Sequence, residues 1–237
     1  MGCTVTVDEA ATAAEAVVRG ARREAERWGV SVALVVTLGR HFGVARNEPA
    51  ARLLHRPVGA MLVGLDLAGD ESFPAQAFEQ FLREWRTAGK GLTIHAGEDS
   101  RGAGAENVRQ AVVEWSADRI GHGVQAHGDK ELVRLLARRG TVIEACPTSN
   151  VQTRACRSFR EHPLQKLLSA GVTVTINTDD PAVSGTTLSN EYLRAFQRCG
   201  LTCSELRTCA LNAARGAFLP REAAARLRRR VEAGWGG

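Results

Sequence analysis

Apolar residues recur along the chain first at the spacing of a helix and then in the pattern of a strand. From Asp8 to Trp28, alanine and valine return at helical spacing, and Gly29 follows as a stop signal. The run Val30 to Val36 is rich in valine and apolar almost throughout, as expected of a strand covered on both faces. The pattern therefore predicts a helix followed by a buried strand.

The same alternation continues as far as Asn177. It predicts further strands at Val58 to Asp66, Gly91 to His95, Arg119 to Gly121, Thr141 to Ala145 and Val172 to Asn177. It predicts further helices at Glu48 to His55, Pro74 to Ala88, Asn107 to Trp115, Lys130 to Arg139 and Pro163 to Ala170. Roughly six strands, each beside a helix, indicate parallel βα units, which close as a barrel or form an open doubly wound sheet.

The C-terminal part, from Leu188 onward, is predicted to be wholly helical. Ser204 is a candidate N-cap for a helix from Glu205 to Phe218, and Pro220 marks the break before a last helix. No internal repeat, low-complexity segment or long polar linker interrupts the sequence. We therefore expect a single domain over residues 1–237.

Composition narrows the class of protein. The 237 residues carry a net charge of +5, with 44% hydrophobic and 24% charged residues, which is ordinary for a soluble globular chain. The longest apolar runs are much shorter than the roughly 20 residues that cross a bilayer, so no membrane partner is expected. No secretory signal precedes the first helix, and the six cysteines are too sparse for a disulfide scaffold. We expect a cytoplasmic protein with reduced thiols.

The pI of about 9.1 raises the question of nucleic-acid binding. The basic residues are mostly arginines spread along helices with acidic neighbours, and no basic stretch carries interleaved aromatic residues for base stacking. The one dense run, near the C-terminus, is typical of a solvated helix end. It comprises Arg226, Arg228, Arg229 and Arg230. We expect no nucleic-acid partner.

Polar residues stand where three of the predicted strands end. One strand ends at His95, with Glu98 three residues later; another ends in Gly121-His122-Gly123; the last ends before Asp179 and Asp180. In parallel α/β folds, ligands gather at the carboxyl ends of strands. The pattern therefore points to one shared site.

Each of these residues also has a structural interpretation. His95 alone is more often a hydrogen-bonded structural residue, and His122 between glycines is compatible with a turn. Either aspartate is a candidate cap for the helix that begins at Pro181, but only one can be the cap. Two adjacent carboxylates at a buried strand end require a cation or a protonated histidine, so a metal is the natural partner. The remaining histidines are interpreted as surface or loop residues: His41, His55, His127 and His162.

Five motifs in order resemble the adenosine deaminase family of zinc hydrolases, specifically its bacterial members. They are Leu65 to Glu71, His95 to Glu98, Ile120 to Gly123, Glu144 to Asn150 and Asn177 to Pro181, with the sequences LDLAGDE, HAGE, IGHG, EACPTSN and NTDDP. The resemblance implies a (β/α)₈ TIM-type barrel with one Zn²⁺ ion. It also implies a reaction: hydrolytic deamination of adenosine, and of 2′-deoxyadenosine, to inosine and ammonia.

The resemblance assigns a role to each matching residue. His95 and Asp179 look like zinc ligands. Glu98 would share a proton with the purine N1, and His122 would orient the attacking water and help to deprotonate it. Zinc lowers the pKa of water towards neutrality, and protonation at N1 lets the ring accept electrons.

The substrate contacts come from the same motifs. Asp180, as a catalytic and substrate-binding residue, and the backbone amide of Gly69 would hold other purine nitrogens. The expected partner is therefore a small-molecule purine nucleoside.

One family motif has no counterpart in this sequence. The family's first strand ends in His-x-His, which supplies two more zinc ligands, and none of the six histidines forms that pair. The strand at Val30 to Val36 resembles the family's third, so the expected fold is an N-terminally incomplete barrel of about six βα units. Two ligands should bind zinc more weakly than the three usual in catalytic sites.

Three hypotheses follow. The first is an adenosine deaminase whose N-terminal part lies outside this sequence. The second is a catalytically inactive fragment or interaction module, which associates with a complementing chain or with copies of itself. The third is a deaminase of another 6-aminopurine compound.

Overall fold

The structure, a computed structural model, describes residues 5–99 and 102–235. The chain divides into two compact units, Met1–Thr93 and Ile94–Gly237. The strands of the described residues are arranged in one parallel six-stranded sheet, in chain order, with helices alternating between them. This is the arrangement of a partial TIM-type barrel, as the sequence predicts. The expectation of a single domain stays a prediction.

The first unit consists of two parallel strands and three α-helices among its described residues. They are α1 (Val7–Trp28), β1 (Leu34–Gly39), α2 (Gly43–Ala51), β2 (Leu62–Ala68) and α3 (Glu79–Thr87). Thr6 caps α1 in a capping box with Glu9, and Gly29 ends it in the left-handed conformation. The predicted first helix and its stop signal are therefore confirmed.

The first strand lies further along the chain than the sequence predicts. Val30 and Val32 are 53% and 49% exposed, and pairing with β2 starts where Leu34 lies opposite Leu62. The amide of Val30 still bonds to the helix carbonyl of Ala25 at 2.9 Å, so the chain is leaving the helix where the apolar run begins. The run Val30 to Val36 is thus not buried on both faces.

Other boundaries shift for similar reasons. A 3₁₀ helix, Pro57–Met61, occupies the predicted start of β2, because Pro57 lacks the amide hydrogen that a strand would use. The predicted helix Glu48 to His55 is the end of α2 continued by the 3₁₀ turn Arg52–His55. Local hydrogen bonding, rather than burial, decides these ends.

The second unit continues the alternation. Its elements are β3 (Gly91–Ala96, which begins in the first unit), α4 (Gly104–Val113), β4 (Arg119–His122), α5 (Lys130–Arg139), β5 (Val142–Ala145), α6 (Pro147–Gln152), α7 (Leu164–Ser169), β6 (Thr173–Ile176), α8 (Pro181–Ser184), α9 (Leu188–Arg198), α10 (Cys203–Gly216) and α11 (Arg221–Gly234). Ile143 lies between Ile120 and Val174 on the parallel neighbours, and none of the three is exposed. The short helices α6 and α8 are not predicted, because proline, serine and threonine in them carry no apolar period.

The described cysteines are free thiols, as predicted, and all but Cys203 are buried. Burial raises the pKa of the Cys146 thiol well above its usual value and that of Cys209 to about 12. These buried thiols are therefore protonated and packed as small apolar groups. Cys3 lies outside the described residues. Among the described residues, no helix is both long and apolar enough to cross a membrane.

The start of α10 differs from the prediction in a testable way. Thr202, not Ser204, is the N-cap: its hydroxyl accepts from the Glu205 amide at 3.2 Å, and Glu205 accepts from the Thr202 amide at 2.7 Å. Ser204 lies inside the first turn. We expect Thr202→Ala to lower the free energy of unfolding by about 1 kcal/mol. Ser204→Ala is the control and should change it little.

Chemical denaturation of both variants measures this difference. A larger loss for Ser204→Ala than for Thr202→Ala would contradict the assigned cap.

Candidate active site

The strands β3 and β4 bring two histidines into contact. The rings of His95 and His122 pack edge to face, with centroids 5.0 Å apart. A Cβ on Gly121 would lie 2.9 Å from the His95 ring, so a larger residue there would displace this histidine. Gly123 adopts φ +61°, and a Cβ there would meet Ile143 at 2.6 Å. The glycines flanking His122 therefore make room for protein side chains.

His122 is buried and has polar partners on both ring nitrogens. Its Nδ1 lies 3.0 Å from Asn150 Nδ2, and its Nε2 lies 3.4 Å from Glu98 Oε2. Its backbone has φ +66°, a conformation that costs free energy in a non-glycine residue and often occurs at functional sites. The histidine is thus held in one orientation by its backbone and both ring nitrogens.

Asp179 is the acidic residue that joins this group. It also has a positive φ, +57°, and Ser149 donates a hydrogen bond to its Oδ2 at 2.6 Å. His95, His122 and Asp179 each offer a ligand atom within 4.8 Å of the other two. These side chains form a group that could hold a metal ion. The prediction that His95 and Asp179 are metal ligands stays a prediction.

Asp180 is the helix cap. Its Oδ1 accepts from the amides of Ala182 and Val183, both at 3.1 Å, and α8 begins at Pro181. Both Asp179 and Asp180 are exposed, so the prediction that a buried carboxylate pair demands a cation is wrong. The case for a metal rests instead on the convergence of Asp179 with the two histidines.

One short helix contacts three members of the site. In or next to α6, Ser149 bonds Asp179, Asn150 bonds His122, and Thr153 donates to Glu98 Oε1 at 2.9 Å. Ser149 and Asn150 lie in the family motif Glu144 to Asn150, which by itself assigns them no role, and Thr153 lies outside that motif. The only signal in the sequence was the run of short polar side chains directly after a strand.

The helix α6 is itself held by a buried carboxylate. Glu191 is fully buried on α9 and accepts from the Thr148 amide at 2.9 Å, from Thr186 Oγ1 at 2.5 Å and from Arg194 Nη1 at 3.1 Å. A buried charge with this many partners is costly to break, because removing one leaves the others unpaired. Glu191 therefore fixes the position of α6.

The other histidines divide into two groups. His41, His55 and His127 are exposed, as predicted. His162 lies in the loop before α7, as one of the two predicted alternatives has it, but it is only 5% exposed and is therefore not a surface residue. Its Nε2 lies 3.1 Å from Asn150 Oδ1, and burial lowers its pKa to about 4. His162 is a buried neutral residue one hydrogen bond behind the site.

Gly69 lies in the first unit, directly after β2. Its φ is +96°, a conformation that favours glycine, and a Cβ there would also meet the ring of His41. Its contact with a purine stays a prediction.

The comparisons with known proteins identify the relatives of this chain. A sequence model of the family described as "Adenosine deaminase" matches residues 4–234. The adenosine deaminase of Serratia proteamaculans is 43% identical over 220 residues, 92% of this chain and 64% of that protein. The chain thus spans about two thirds of the length of such relatives.

Solved structures show the same likeness at lower identity. A Burkholderia ambifaria amidohydrolase, solved with bound Zn, matches this chain with a TM-score of 0.85 at 26% identity. The match covers 93% of this chain and 61% of the amidohydrolase chain. The adenine deaminase of Arthrobacter aurescens has a TM-score of 0.80 at 26% identity, with 90% of this chain and 64% of its own covered.

The neutral state of His162 predicts a pH dependence of stability. The unfolded chain takes up this proton near its ordinary pKa of 6.5, whereas the folded chain resists it down to about 4. The unfolded state therefore binds more protons in that window, and stability falls as the pH falls through it. The loss should reach about 3 kcal/mol at the low end.

Denaturation of His162→Gln tests this, since the amide keeps a donor for Asn150 but does not titrate. We expect the wild type to lose more stability than this variant between those pH values. His41→Gln, on the surface, is the control. Equal slopes for wild type and His162→Gln would contradict the assignment.

Proposed function

This chain belongs to the adenosine deaminase family, and from that premise we propose that it takes part in the hydrolytic deamination of adenosine to inosine and ammonia. The observation that carries the proposal is the convergence of the family's histidines and acids at the ends of β3, β4 and β6. By the same family match, 2′-deoxyadenosine is a second substrate. The partner is a small-molecule purine nucleoside.

We propose a zinc ion as the metal. The donor set fits zinc, because it combines imidazole nitrogen with a carboxylate oxygen, and Ser149 holds the carboxylate of Asp179 as an outer partner. His95 and Asp179 are the proposed ligands. Zinc would supply Lewis acidity, which lowers the pKa of water towards neutrality. The other ligands of the family's site, a His-x-His pair, do not occur in this sequence.

Glu98 is the proposed proton carrier for the purine ring. Thr153 donates to its Oε1, and its Oε2 faces His122 Nε2 at 3.4 Å. Thr153 thus holds one oxygen of the carboxyl group, and the other lies beside the histidine. Transfer of its proton to the purine N1 draws electrons from the carbon that bears the amino group. A water molecule adds to that carbon; one of its protons leaves with the amino group as ammonia, and the other returns to Glu98.

Asp180 and Gly69 are the proposed substrate contacts. The cap of α8 uses Asp180 Oδ1, and its Oδ2 accepts no hydrogen bond among the described residues. This oxygen of the exposed Asp180 is suited to bind a purine nitrogen, as the family match predicts. The amide of Gly69 is the second proposed contact.

The choice of adenosine over another 6-aminopurine follows the more similar relatives. The protein from Serratia proteamaculans, named adenosine deaminase, is 43% identical, whereas the structure of an adenine deaminase is 26% identical. Turnover of adenosine should therefore exceed that of adenine. The reverse order would favour the alternative substrate.

An assay of ammonia and inosine tests the proposed reaction. The full chain, folded and supplied with zinc, should release both from adenosine. Glu98→Gln should lower kcat by about 10²- to 10⁴-fold, because the amide cannot transfer the proton. Glu114→Gln, on the exposed surface at the end of α4, is the matched control and should keep the activity.

A folded, zinc-loaded chain that releases no ammonia, both by itself and when joined to a segment that supplies the His-x-His pair, would overturn the proposal. The interaction-module hypothesis would then stand. Its next test would be a search for association with a complementing chain or with copies of this chain.

Zinc binding tests the proposed ligands without any turnover. Competition with a chromophoric chelator should show one zinc per chain. His95→Ala and Asp179→Ala should each raise the Kd by more than about tenfold, since each removes a ligand. Asp180→Asn should leave the Kd unchanged, because this residue caps α8. A loss of zinc with Asp180→Asn alone would contradict the assignment.

A further inference from the structure

Three buried side chains form a row that ends on the site. His162 Nε2 lies 3.1 Å from Asn150 Oδ1, and Asn150 Nδ2 lies 3.0 Å from His122 Nδ1. Their exposures are 5%, 0% and 3%. Buried polar groups pair donor with acceptor, so the direction of each bond decides where the protons are.

A backbone amide fixes the orientation of Asn150. The amide nitrogen of Cys146 lies 3.2 Å from the Asn150 side chain. A backbone N–H can only donate, so the atom that faces it must be the carbonyl oxygen Oδ1. The NH₂ group must then be the one that faces His122, and it also can only donate. His122 Nδ1 is therefore an acceptor and carries no proton.

The far end of the row is fixed in the same way. The amide of Leu164 donates to His162 Nδ1 at 3.2 Å. His162 therefore carries its single proton on Nε2 and donates it to Asn150 Oδ1. Two backbone amides, of Cys146 and Leu164, thus set every donor and acceptor along the row. The alternative amide flip would place two donors, or two acceptors, against each other in a buried setting.

We propose that Asn150 is a positioning residue that holds His122 as the neutral tautomer with its proton on Nε2. A histidine binds a metal through an unprotonated nitrogen. In this tautomer Nδ1 accepts from Asn150 and Nε2 bears a hydrogen. His122 therefore does not bind the metal, although it lies within reach of His95 and Asp179.

The same tautomer narrows the role of His122 in the reaction, an inference that rests on the proposed function. A ring nitrogen that already bears a proton cannot take up another from water. His122 thus acts as a hydrogen-bond donor from Nε2, on the side where Glu98 Oε2 lies 3.4 Å away. It orients the reacting groups, while the protons of the attacking water go to the departing ammonia and back to Glu98, which has given its own proton to the purine N1.

The test is the tautomer itself, read by long-range ¹⁵N–¹H correlation spectra of the full chain labelled on histidine. The spectrum of His122→Gln identifies the signals of His122 by their loss. In the wild type we expect Nδ1 at the shift of an unprotonated ring nitrogen and Nε2 at that of a protonated one. The opposite pattern in the wild type would overturn the proposal. This measurement requires no variant of Asn150.

Asn150→Asp tests the cause. A carboxylate accepts from Cys146 and His162 as the amide oxygen does, but it cannot donate to His122. We expect the proton of His122 to move to Nδ1, which frees Nε2 and tightens zinc binding relative to the wild type. An unchanged tautomer in folded Asn150→Asp would refute the role of Asn150.

Asn212→Asp is the matched control. Asn212 is also buried in the second unit, but its Nδ2 bonds the carbonyl of Val174 at 3.0 Å. Asn212→Asp should leave the tautomer of His122 as in the wild type. A changed tautomer in this control would mean that any buried charge moves the proton of His122.

None of these measurements requires turnover. A failure to deaminate adenosine would therefore bear on the proposed function alone, and the spectra would still decide the tautomer of His122.

Discussion

The hydrogen bonds between α6 and the ends of three neighbouring segments are the constraint on which the site depends. Ser149, Asn150 and Thr153 each hold a different functional side chain. Because α6 is a single short helix, these three contacts share one rigid support. A displacement of α6 would move Asp179, His122 and Glu98 together. This explains why a buried, fully partnered carboxylate, Glu191, anchors it.

Backbone strain shows the same dependence. His122 and Asp179 both have left-handed backbone conformations, at φ +66° and +57°. Each costs on the order of 1–3 kcal/mol and persists only where the surroundings over-determine it. Here the surroundings are the hydrogen bonds from Asn150 and Ser149. Ser116 and Arg154 also have positive φ, but His122 and Asp179 are the two such residues among the proposed site residues, so support from α6 and strain at these strand ends are parts of one arrangement.

One side of the site is buried, and the other is exposed to solvent. The row from His162 to His122 is buried and free of net charge, and burial keeps His162 neutral by lowering its pKa to about 4. Asp179 and Asp180 are exposed. Proton positions are therefore set from within, by backbone amides, whereas the proposed metal and substrate would approach the carboxylates from solvent. Family membership supplies the chemistry, and this division determines which residue can perform each part.

The sequence by itself determined the order of the elements and the candidate residues. Apolar periodicity located each strand to within a few residues, and polar strand ends identified His95, Glu98, His122 and the aspartate pair. It could not separate the roles of the pair, because capping and metal binding both favour aspartate; the structure assigned the cap to Asp180. Nor could it find the partners of these residues, since Asn150 and His162 meet His122 only after the chain has folded. Periodicity reports which face of an element is buried, whereas proton positions depend on atoms far apart in sequence, and those only the tertiary structure brings together.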